Sequence, residues 1–213
     1  MTNKEIAHYI DHTLLKPVAT WEQIDELCRE AIEYETASVC IPPNYIKRVK
    51  EKYGDRLPVA TVIGFPLGYE ATEAKLNECS VALSDGADEI DMVIDITAVK
   101  NGDYDSVTEE IRKMKEICGE HILKVIVETC YLTDDEKIAM CKAVTEAGAD
   151  YIKTSTGFGT AGATLEDVKL FKANIGPDVK IKAAGGIRTA EDMEAYIAAG
   201  CDRIGCSSTK VLF

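Results

Sequence analysis

Three short segments of the chain are near-copies of one another, and their repetition constrains the fold more than any other feature. They read Asp-Gly-Ala-Asp-Glu-Ile at 85–90, Ala-Gly-Ala-Asp-Tyr-Ile at 147–152 and Ala-Gly-Cys-Asp-Arg-Ile at 199–204. In each segment a glycine of the kind that ends helices is followed within a few residues by a run typical of strands. The chain therefore repeats one unit, in which a helix leads through a short connection into a strand.

This alternation of strand and helix runs through the whole sequence. Short connections favour parallel strand pairing with right-handed crossovers. Eight units favour a closed (β/α)8 TIM barrel over an open doubly wound sheet of the flavodoxin type, which needs only about five strands. No linker interrupts the chain, so we expect residues 1–213 to form a single barrel domain. The predicted strands are 9–11, 37–41, 59–65, 89–95, 123–129, 151–156, 180–184 and 203–206.

Helical patterns lie between most of the predicted strands. Thr20, Thr133 and Thr189 each precede acidic or amide side chains, which is typical of the residue that caps the start of a helix. The predicted helices span 21–34, 72–85, 105–118, 134–147 and 190–199.

Composition excludes several classes of function. The formal net charge of −13 argues against non-specific binding of nucleic acid, which requires a basic face. No apolar run approaches the roughly 18 residues of a membrane-spanning helix, and the first residues lack the apolar core of a signal peptide. We therefore expect a cytoplasmic protein that binds neither nucleic acid nor membrane.

The cysteines and histidines show no pattern of metal ligands. The eight cysteines include no Cys-x-x-Cys pair, and the three histidines have no ligand spacing with them. We interpret the cysteines as free thiols in a reducing cytosol, and we expect neither a metal site nor another cofactor.

Lys153 lies within Tyr-Ile-Lys-Thr-Ser-Thr at 151–156, a composition typical of a strand. Burial disfavours the charged form of a lysine, so a buried Lys153 would lose its proton readily and become an amine nucleophile. The alternative is an outward-facing lysine whose ammonium reaches water, and this run alone slightly favours that alternative.

The other strands favour the nucleophile. In a (β/α)8 barrel the reactive side chains lie at the carboxyl ends of the strands and in the loops that follow. Lys182 would lie there beside Lys153, and two neighbouring ammonium groups each disfavour the other's protonation. Lys180 shares the strand face of Lys182 but lies about 6–7 Å further from the loop, so we prefer Lys182. The alternative is that these lysines only neutralise carboxylates inside the barrel.

Acidic residues are also expected inside the barrel. Glu89, Asp91 and Asp95 alternate along one predicted strand and would share its inner face. Lys124 and Glu128 share a face of the next strand and would complete an interior charge network. Carboxylates in such a place suit proton transfer, and Asp91 is among the predicted strand-end residues. Alternation alone does not decide which carboxylate transfers protons.

Glycine- and serine-rich loops follow the last two predicted strands. Small residues let backbone N–H groups approach an anion, and these two loops form the usual phosphate site of such barrels; an ordinary tight turn is the alternative. On the first strand, Asp11 and Thr13 would bind substrate hydroxyls or cap the next segment, and Cys40 would pack at the pocket mouth. The loop residues are Gly185, Gly186, Arg188, Gly205, Ser207 and Ser208.

These residues resemble the class I deoxyribose-phosphate aldolase family, and the resemblance implies a TIM barrel that needs no metal. The matching blocks follow one another along almost the whole chain. They are Ile-Asp-His-Thr-Leu-Leu-Lys-Pro (10–17), Ser-Val-Cys-Ile-Pro-Pro (38–43), Ala-Thr-Val-Ile-Gly-Phe-Pro-Leu-Gly (60–68), Glu-Ile-Asp-Met-Val-Ile (89–94), Leu-Lys-Val-Ile-Val-Glu-Thr (123–129), Tyr-Ile-Lys-Thr-Ser-Thr-Gly-Phe (151–158), Lys-Ala-Ala-Gly-Gly-Ile-Arg (182–188) and Arg-Ile-Gly-Cys-Ser-Ser (203–208).

The resemblance also implies roles for individual residues. Lys153 would form a Schiff base with acetaldehyde, Lys182 would tune it, and Asp91 would move protons. The enamine would add to glyceraldehyde 3-phosphate and give 2-deoxyribose 5-phosphate, reversibly. Asp11 and Thr13 would contact substrate hydroxyls. The implied phosphate site comprises Gly157, Gly185, Gly186, Arg188, Gly205, Ser207 and Ser208.

Two further expectations and two alternatives complete the prediction. The family often forms dimers, so a homodimer is possible here. Phe158 departs from members that have a phosphate-reaching lysine at its position.

The first alternative function is another Schiff-base barrel, such as a lyase or transaldolase that acts on a different sugar phosphate. The second is a non-catalytic barrel that binds a sugar phosphate.

Overall fold

Eight short strands form the centre of the molecule, and each pairs in parallel with its neighbours in sequence. The computed structural model describes residues 1–207 and 209–213. The first strand pairs with the last, with Asp11 opposite Gly205, so the sheet closes and the predicted (β/α)8 barrel is confirmed. The strands are β1 (Ile10–Thr13), β2 (Ser38–Ile41), β3 (Val59–Ile63), β4 (Glu89–Val93), β5 (Ile122–Ile126), β6 (Tyr151–Lys153), β7 (Lys180–Ala184) and β8 (Arg203–Cys206).

Helices surround the barrel. All five predicted helices are present, with ends that differ from the prediction by at most one residue. The described residues contain four more that were not predicted, and two of these have only five residues, too few to show a helical period. No helix in the described ranges is long and apolar enough to cross a membrane. The helices are α1 (Asn3–Ala7), α2 (Trp21–Tyr34), α3 (Ile46–Tyr53), α4 (Thr72–Ser84), α5 (Ile96–Lys100), α6 (Tyr104–Cys118), α7 (Asp134–Glu146), α8 (Leu165–Asn174) and α9 (Ala190–Ala198).

The helix ends have the chemistry that the sequence predicts. The hydroxyls of Thr20, Thr133 and Thr189 each accept a hydrogen bond from the backbone N–H three residues later, and the side chain there bonds back to the threonine N–H. The glycines of the three near-repeats have positive φ angles between 74° and 110°, which end the helices before the next strand. Local chemistry thus explains the repeated unit.

Four predicted strands extend two or three residues too far, and they correspond to β3, β4, β5 and β6. β4 ends at Val93, and the side chain of Asp95 turns back to accept hydrogen bonds from two backbone N–H groups of α5. β5 ends at Ile126, and Glu128 has a positive φ of 54°, which no regular strand contains. The predictions that Asp95 continues the inner face of β4 and Glu128 that of β5 are therefore wrong.

Side-chain alternation separates two environments around each strand. Ile90 and Ile152 point outward into the apolar core that the helices cover. Asp91 and Lys153, the next residues along, are buried inside the barrel. Charged residues from otherwise apolar strands therefore converge along the barrel axis.

Candidate active site

Asp91 lies at the centre of a buried ion network inside the barrel. Its Oδ2 accepts hydrogen bonds from Nζ of Lys153 and from Nζ of Lys182, each at 2.7 Å, and its Oδ1 accepts one from Lys124 at 2.8 Å. All four side chains are buried. The register explains the arrangement, because Asp91 lies opposite Lys124 and Lys153 lies opposite Lys182 on neighbouring strands. The structure thus brings the two predicted lysines and Asp91 together.

A second layer of charges lies toward the amino ends of the strands. Arg203 donates to Asp11 at 2.5 Å and to the two oxygens of Glu89 at 3.1 and 3.2 Å. Lys182 also contacts Asp11, and Lys124 also contacts Glu89. The network becomes electrically balanced when one of its cations loses a proton, since four bases face three acids. These are Lys124, Lys153, Lys182 and Arg203 facing Asp11, Glu89 and Asp91.

Lys153 is the lysine of the pair that loses its proton more readily. Burial lowers the pKa of Lys153, and the charge of Lys182 lowers it further against the opposing effect of Asp91. Burial also disfavours charge on Lys182, but Asp11 and Asp91 outweigh it and raise the pKa of Lys182. The lowered pKa of Lys153 agrees with the expectation, whereas the carboxylate partners of Lys182 outweigh burial and hold it as an ammonium.

The central carboxylates are ionised. Burial opposes charge on Asp91, but Lys124, Lys153 and Lys182 outweigh burial and hold the pKa of Asp91 well below its usual range. The pKa of Asp11 is lowered by the same balance, in which Lys182 is the strongest of the nearby cations. Negative charge therefore lies against the lysine amines at neutral pH.

Lys180 does not take part in this network. It is exposed at the first position of β7, and its Nζ lies 5.7 Å from the centre of the Tyr151 ring. The preference for Lys182 as the neighbour of Lys153 agrees with this placement.

A cavity of about 720 Å³ opens at the carboxyl ends of the strands, and Lys153 is the member of the ion network that lines it. Asp91 and Lys182 are completely buried behind Lys153. Most of the predicted loop residues also line the cavity, whereas Ser208 lies outside the described residues. The predicted residues in the lining are Thr13, Lys153, Gly157, Gly185, Gly186, Arg188, Gly205 and Ser207.

Asp11 and Cys40 do not line the cavity. Ser38 and Lys182 donate to the carboxylate of Asp11, and this carboxylate is completely buried, so the predicted contact with substrate hydroxyls is not available to it. Cys40 is completely buried in a small cluster with Ala60, against which Leu15 of the cavity lining packs. Burial raises the pKa of its thiol to about 11.

The loop after β7 presents backbone groups to the cavity. Gly185 and Gly186 have φ angles of +86° and +80°, and the N–H of Gly186 has no protein acceptor within the described ranges. The backbone N–H groups of Arg188 and Thr189 are different, because both donate to the carboxylate of Asp192. The start of α9 is thus already capped, whereas the N–H group of Gly186 is available to an anion.

Glu128, which we expected on a strand, instead fixes the loop after β6. Its carboxylate accepts a hydrogen bond from the backbone N–H of Thr156 at 3.2 Å and another from the Thr156 hydroxyl. Glu128 is only 1% exposed, and burial raises its pKa. Because Thr156 lines the cavity three residues after Lys153, Glu128 fixes one wall of the site.

Sequence reasoning also missed Arg203 as a member of the network. Its signal was a charged residue at the start of an apolar strand, in one of the three near-repeats.

Within residues 1–207 and 209–213, no group of three or more His, Cys, Asp or Glu side chains is arranged to hold a metal ion.

A buried lysine with a lowered pKa, at the carboxyl face of a (β/α)8 barrel, is typical of barrel enzymes that use an amine nucleophile. Residues 6–205 match the DeoC/LacD family of aldolases. The chain belongs to this family, and the resemblance seen in its sequence is confirmed.

Relatives of this chain share nearly its whole length. It is 67% identical over 207 residues to the deoxyribose-phosphate aldolase of Clostridium botulinum (strain Alaska E43 / Type E3), covering 97% of this chain and 94% of that protein. It is 54% identical over 205 residues to the deoxyribose-phosphate aldolase of Clostridioides difficile (strain 630), covering 96% and 94%. The tetrameric structure of deoxyribose phosphate aldolase from Aeropyrum pernix superposes with a TM-score of 0.89 at 34% identity, covering 99% of this chain and 91% of that one.

Proposed function

We propose that this protein is a class I aldolase that reversibly cleaves 2-deoxy-D-ribose 5-phosphate to D-glyceraldehyde 3-phosphate and acetaldehyde through a Schiff base on Lys153. The observation that carries the proposal is the single oxygen of Asp91 that accepts from both Lys153 and Lys182 at 2.7 Å. The names of the relatives at 67% and 54% identity support the choice of substrate.

The chemistry begins at the neutral amine of Lys153. The amine adds to the C1 aldehyde of the open-chain sugar, water leaves, and a protonated imine forms. The negative charge of Asp91, 2.7 Å from this nitrogen, stabilises the positive charge of the imine. The imine then draws electrons from the C2–C3 bond, which breaks as the C3 hydroxyl loses its proton.

The products follow from proton transfers. C3 becomes the aldehyde of glyceraldehyde 3-phosphate, and C2 remains on Lys153 as an enamine. We assign to Asp91 the transfer of protons, partly through water, with Lys182 as its charged neighbour. Protonation of C2 and addition of water release acetaldehyde and restore the amine. The protonated imine accepts the electron pair, so the proposed route requires neither a metal nor another cofactor.

The phosphate would lie on the side of the cavity that the last two strands border. Thr13 would contact a substrate hydroxyl. The backbone N–H of Gly186, the small residue Gly185 beside it and the charge of Arg188 suit a phosphate group. Gly157, Gly205 and Ser207 border the same space.

A cytoplasmic location and a homodimer stay predictions, which cell fractionation and light scattering test.

Borohydride reduction with acetaldehyde, followed by peptide mapping, tests the proposal. We expect a two-carbon adduct on Lys153 and none in Lys153→Met, whose fold is checked by circular dichroism. Turnover of 2-deoxyribose 5-phosphate is compared with that of other sugar phosphates. Cleavage of only a different sugar phosphate would favour another Schiff-base barrel. A folded protein that binds the sugar phosphate but forms no adduct would favour the non-catalytic barrel.

A further inference from the structure

The cavity is positively charged although the chain as a whole is strongly acidic. Three basic residues, Lys16, Lys153 and Arg188, line it, and none of the sixteen described residues of the lining is Asp or Glu. The formal net charge of the chain is −13. A concave site lined by one sign of charge concentrates the opposite sign, so this cavity favours an anionic ligand.

Lys16 and Arg188 enter the cavity from different sides of the barrel closure. Lys16 follows β1, and Arg188 follows β7. The loop after β8 lies between them, because β8 pairs with both β1 and β7. Ser207, in this middle loop, also lines the cavity. An anion bound at Ser207 and the glycines of the β7 loop therefore has one basic residue on each side.

The backbone at Lys16 is fixed before any ligand binds. The N–H of Leu14 donates to the carbonyl of Cys40, and the N–H of Ala19 donates to the carbonyl of Lys16, each at 3.0 Å. The hydroxyl of Tyr45 holds the carbonyl of Ala19 at 2.7 Å. A backbone that is already ordered reduces the entropy lost on binding.

The ammonium of Lys16 differs from that of Lys210 in its ion pairs. In residues 1–207 and 209–213, its side chain makes no ion pair, whereas Lys210, beyond β8, pairs with Glu26 and Glu30. On the β6 side, the cavity is bordered by the aromatic ring of Phe158, which packs edge-on against Phe65. The charge available to an anion is therefore concentrated toward the β7 and β1 loops.

We propose that Lys16 is a specificity-determining residue, which binds the phosphate of the substrate from the β1 loop while Arg188 binds it from the β7 loop. This inference rests on the proposed function, because it assigns a ligand to the phosphate that the sugar carries. Lys16 then contributes to selection of phosphorylated over unphosphorylated substrate, and it takes no part in the bond changes at Lys153.

Lys16→Met tests the inference through a ratio of two substrates. We measure kcat/KM for 2-deoxyribose 5-phosphate and for unphosphorylated 2-deoxyribose, and inhibition of the second reaction by inorganic phosphate. Loss of one charge-assisted contact should lower the ratio of the two kcat/KM values about tenfold, mainly through KM. Inhibition by phosphate should weaken, and Lys16→Arg should recover most of both effects.

Lys47→Met is the matched control, because Lys47 is exposed on α3. Its substitution removes the same charge at a position away from the cavity. Its substrate ratio should equal that of the wild type. An unchanged ratio in Lys16→Met, or an equal fall with Lys47→Met, would overturn the inference. Wild-type protein that cleaves neither substrate would reject the proposed function and the inference together, so the two failures are distinguishable.

Discussion

Lys153 and Lys182 donate to the same carboxylate oxygen, yet their pKa values move in opposite directions. The difference lies in Asp11, which contacts Lys182 and not Lys153. The lysine that lines the cavity is the one whose proton is more easily lost, while its fully buried neighbour stays charged. The carboxylate of Asp11 thus gives two chemically identical lysine side chains different pKa values.

The pH dependence of turnover should report this inequality. The reactive form of Lys153 is the neutral amine, so kcat/KM should rise with pH through a pKa below the ordinary lysine value of 10.5. Lys182→Met removes a cation beside Lys153 and leaves Asp91 with one partner fewer. Both changes favour the ammonium, so any residual activity should require higher pH. Lys180→Met, on the exposed end of β7, should keep the wild-type profile, and an identical profile for all three proteins would contradict the assignment.

Stability should fall in acid because the central carboxylates have lowered pKa values. Asp11 and Asp91 ionise more readily in the folded chain than at their ordinary value of 3.8. The unfolded state therefore binds more protons below about pH 4, and the free energy of unfolding should decrease as the pH falls further. Urea denaturation from pH 6 down to about pH 3 measures this. A midpoint that does not change across this range would argue against ionised carboxylates in the barrel.

Gly205 should matter for the space it leaves rather than for its contact with a ligand. A Cβ at this position would lie 3.0 Å from Cβ of Ala184 and 3.4 Å from Cε of Lys182. Gly205→Ala should therefore displace Lys182 and cost about 1–3 kcal/mol of stability, with a loss of kcat. A Cβ at Gly186 would meet nothing within 4 Å, although its φ of +80° disfavours alanine. Gly186→Ala is the control, and it should keep kcat with 2-deoxyribose as substrate; equal kcat losses in both variants would contradict the role given to Gly205.

Arg203 should contribute strongly to folding because it neutralises two buried carboxylates. Arg203→Met would leave Asp11 and Glu89 without this partner, and breaking such a pair should cost about 3–5 kcal/mol of unfolding free energy. Chemical denaturation measures the loss, and Arg203→Lys should recover part of it. The exposed pair of Lys4 and Glu35 gives the comparison, since Lys4→Met should change stability by less than about 1 kcal/mol. Similar small losses in both variants would show that the buried pair is not needed.

The sequence predicts the barrel well because its signals are local. Capping threonines and terminal glycines mark the helices, and apolar runs mark the strands, so a closed barrel follows from their number. The ends of strands are harder to predict. The alternation of residue types continues in the sequence past Val93 and Ile126, although β4 and β5 end at these residues.

The candidate site is only partly predictable for a different reason. Lys153 and Lys182 follow from their position at strand ends, but the pKa of Lys182 depends on Asp11, which is 171 positions away in sequence. The hydrogen bond from the Thr156 N–H to the Glu128 carboxylate likewise joins residues that are far apart in sequence, in two different loops. Contacts of this kind depend on how the strands are staggered, and no local pattern encodes them.

Asp11 and Arg203, whose side chains meet in the barrel, are separated by 192 positions in the chain. On the ribosome, the Asp11 carboxylate emerges long before its guanidinium partner. A nascent chain that stops before residue 203 therefore leaves Asp11 and Glu89 without their shared guanidinium partner and has an open sheet edge. Synthesis of β8 therefore closes the sheet and supplies the partner of Asp11 in one event.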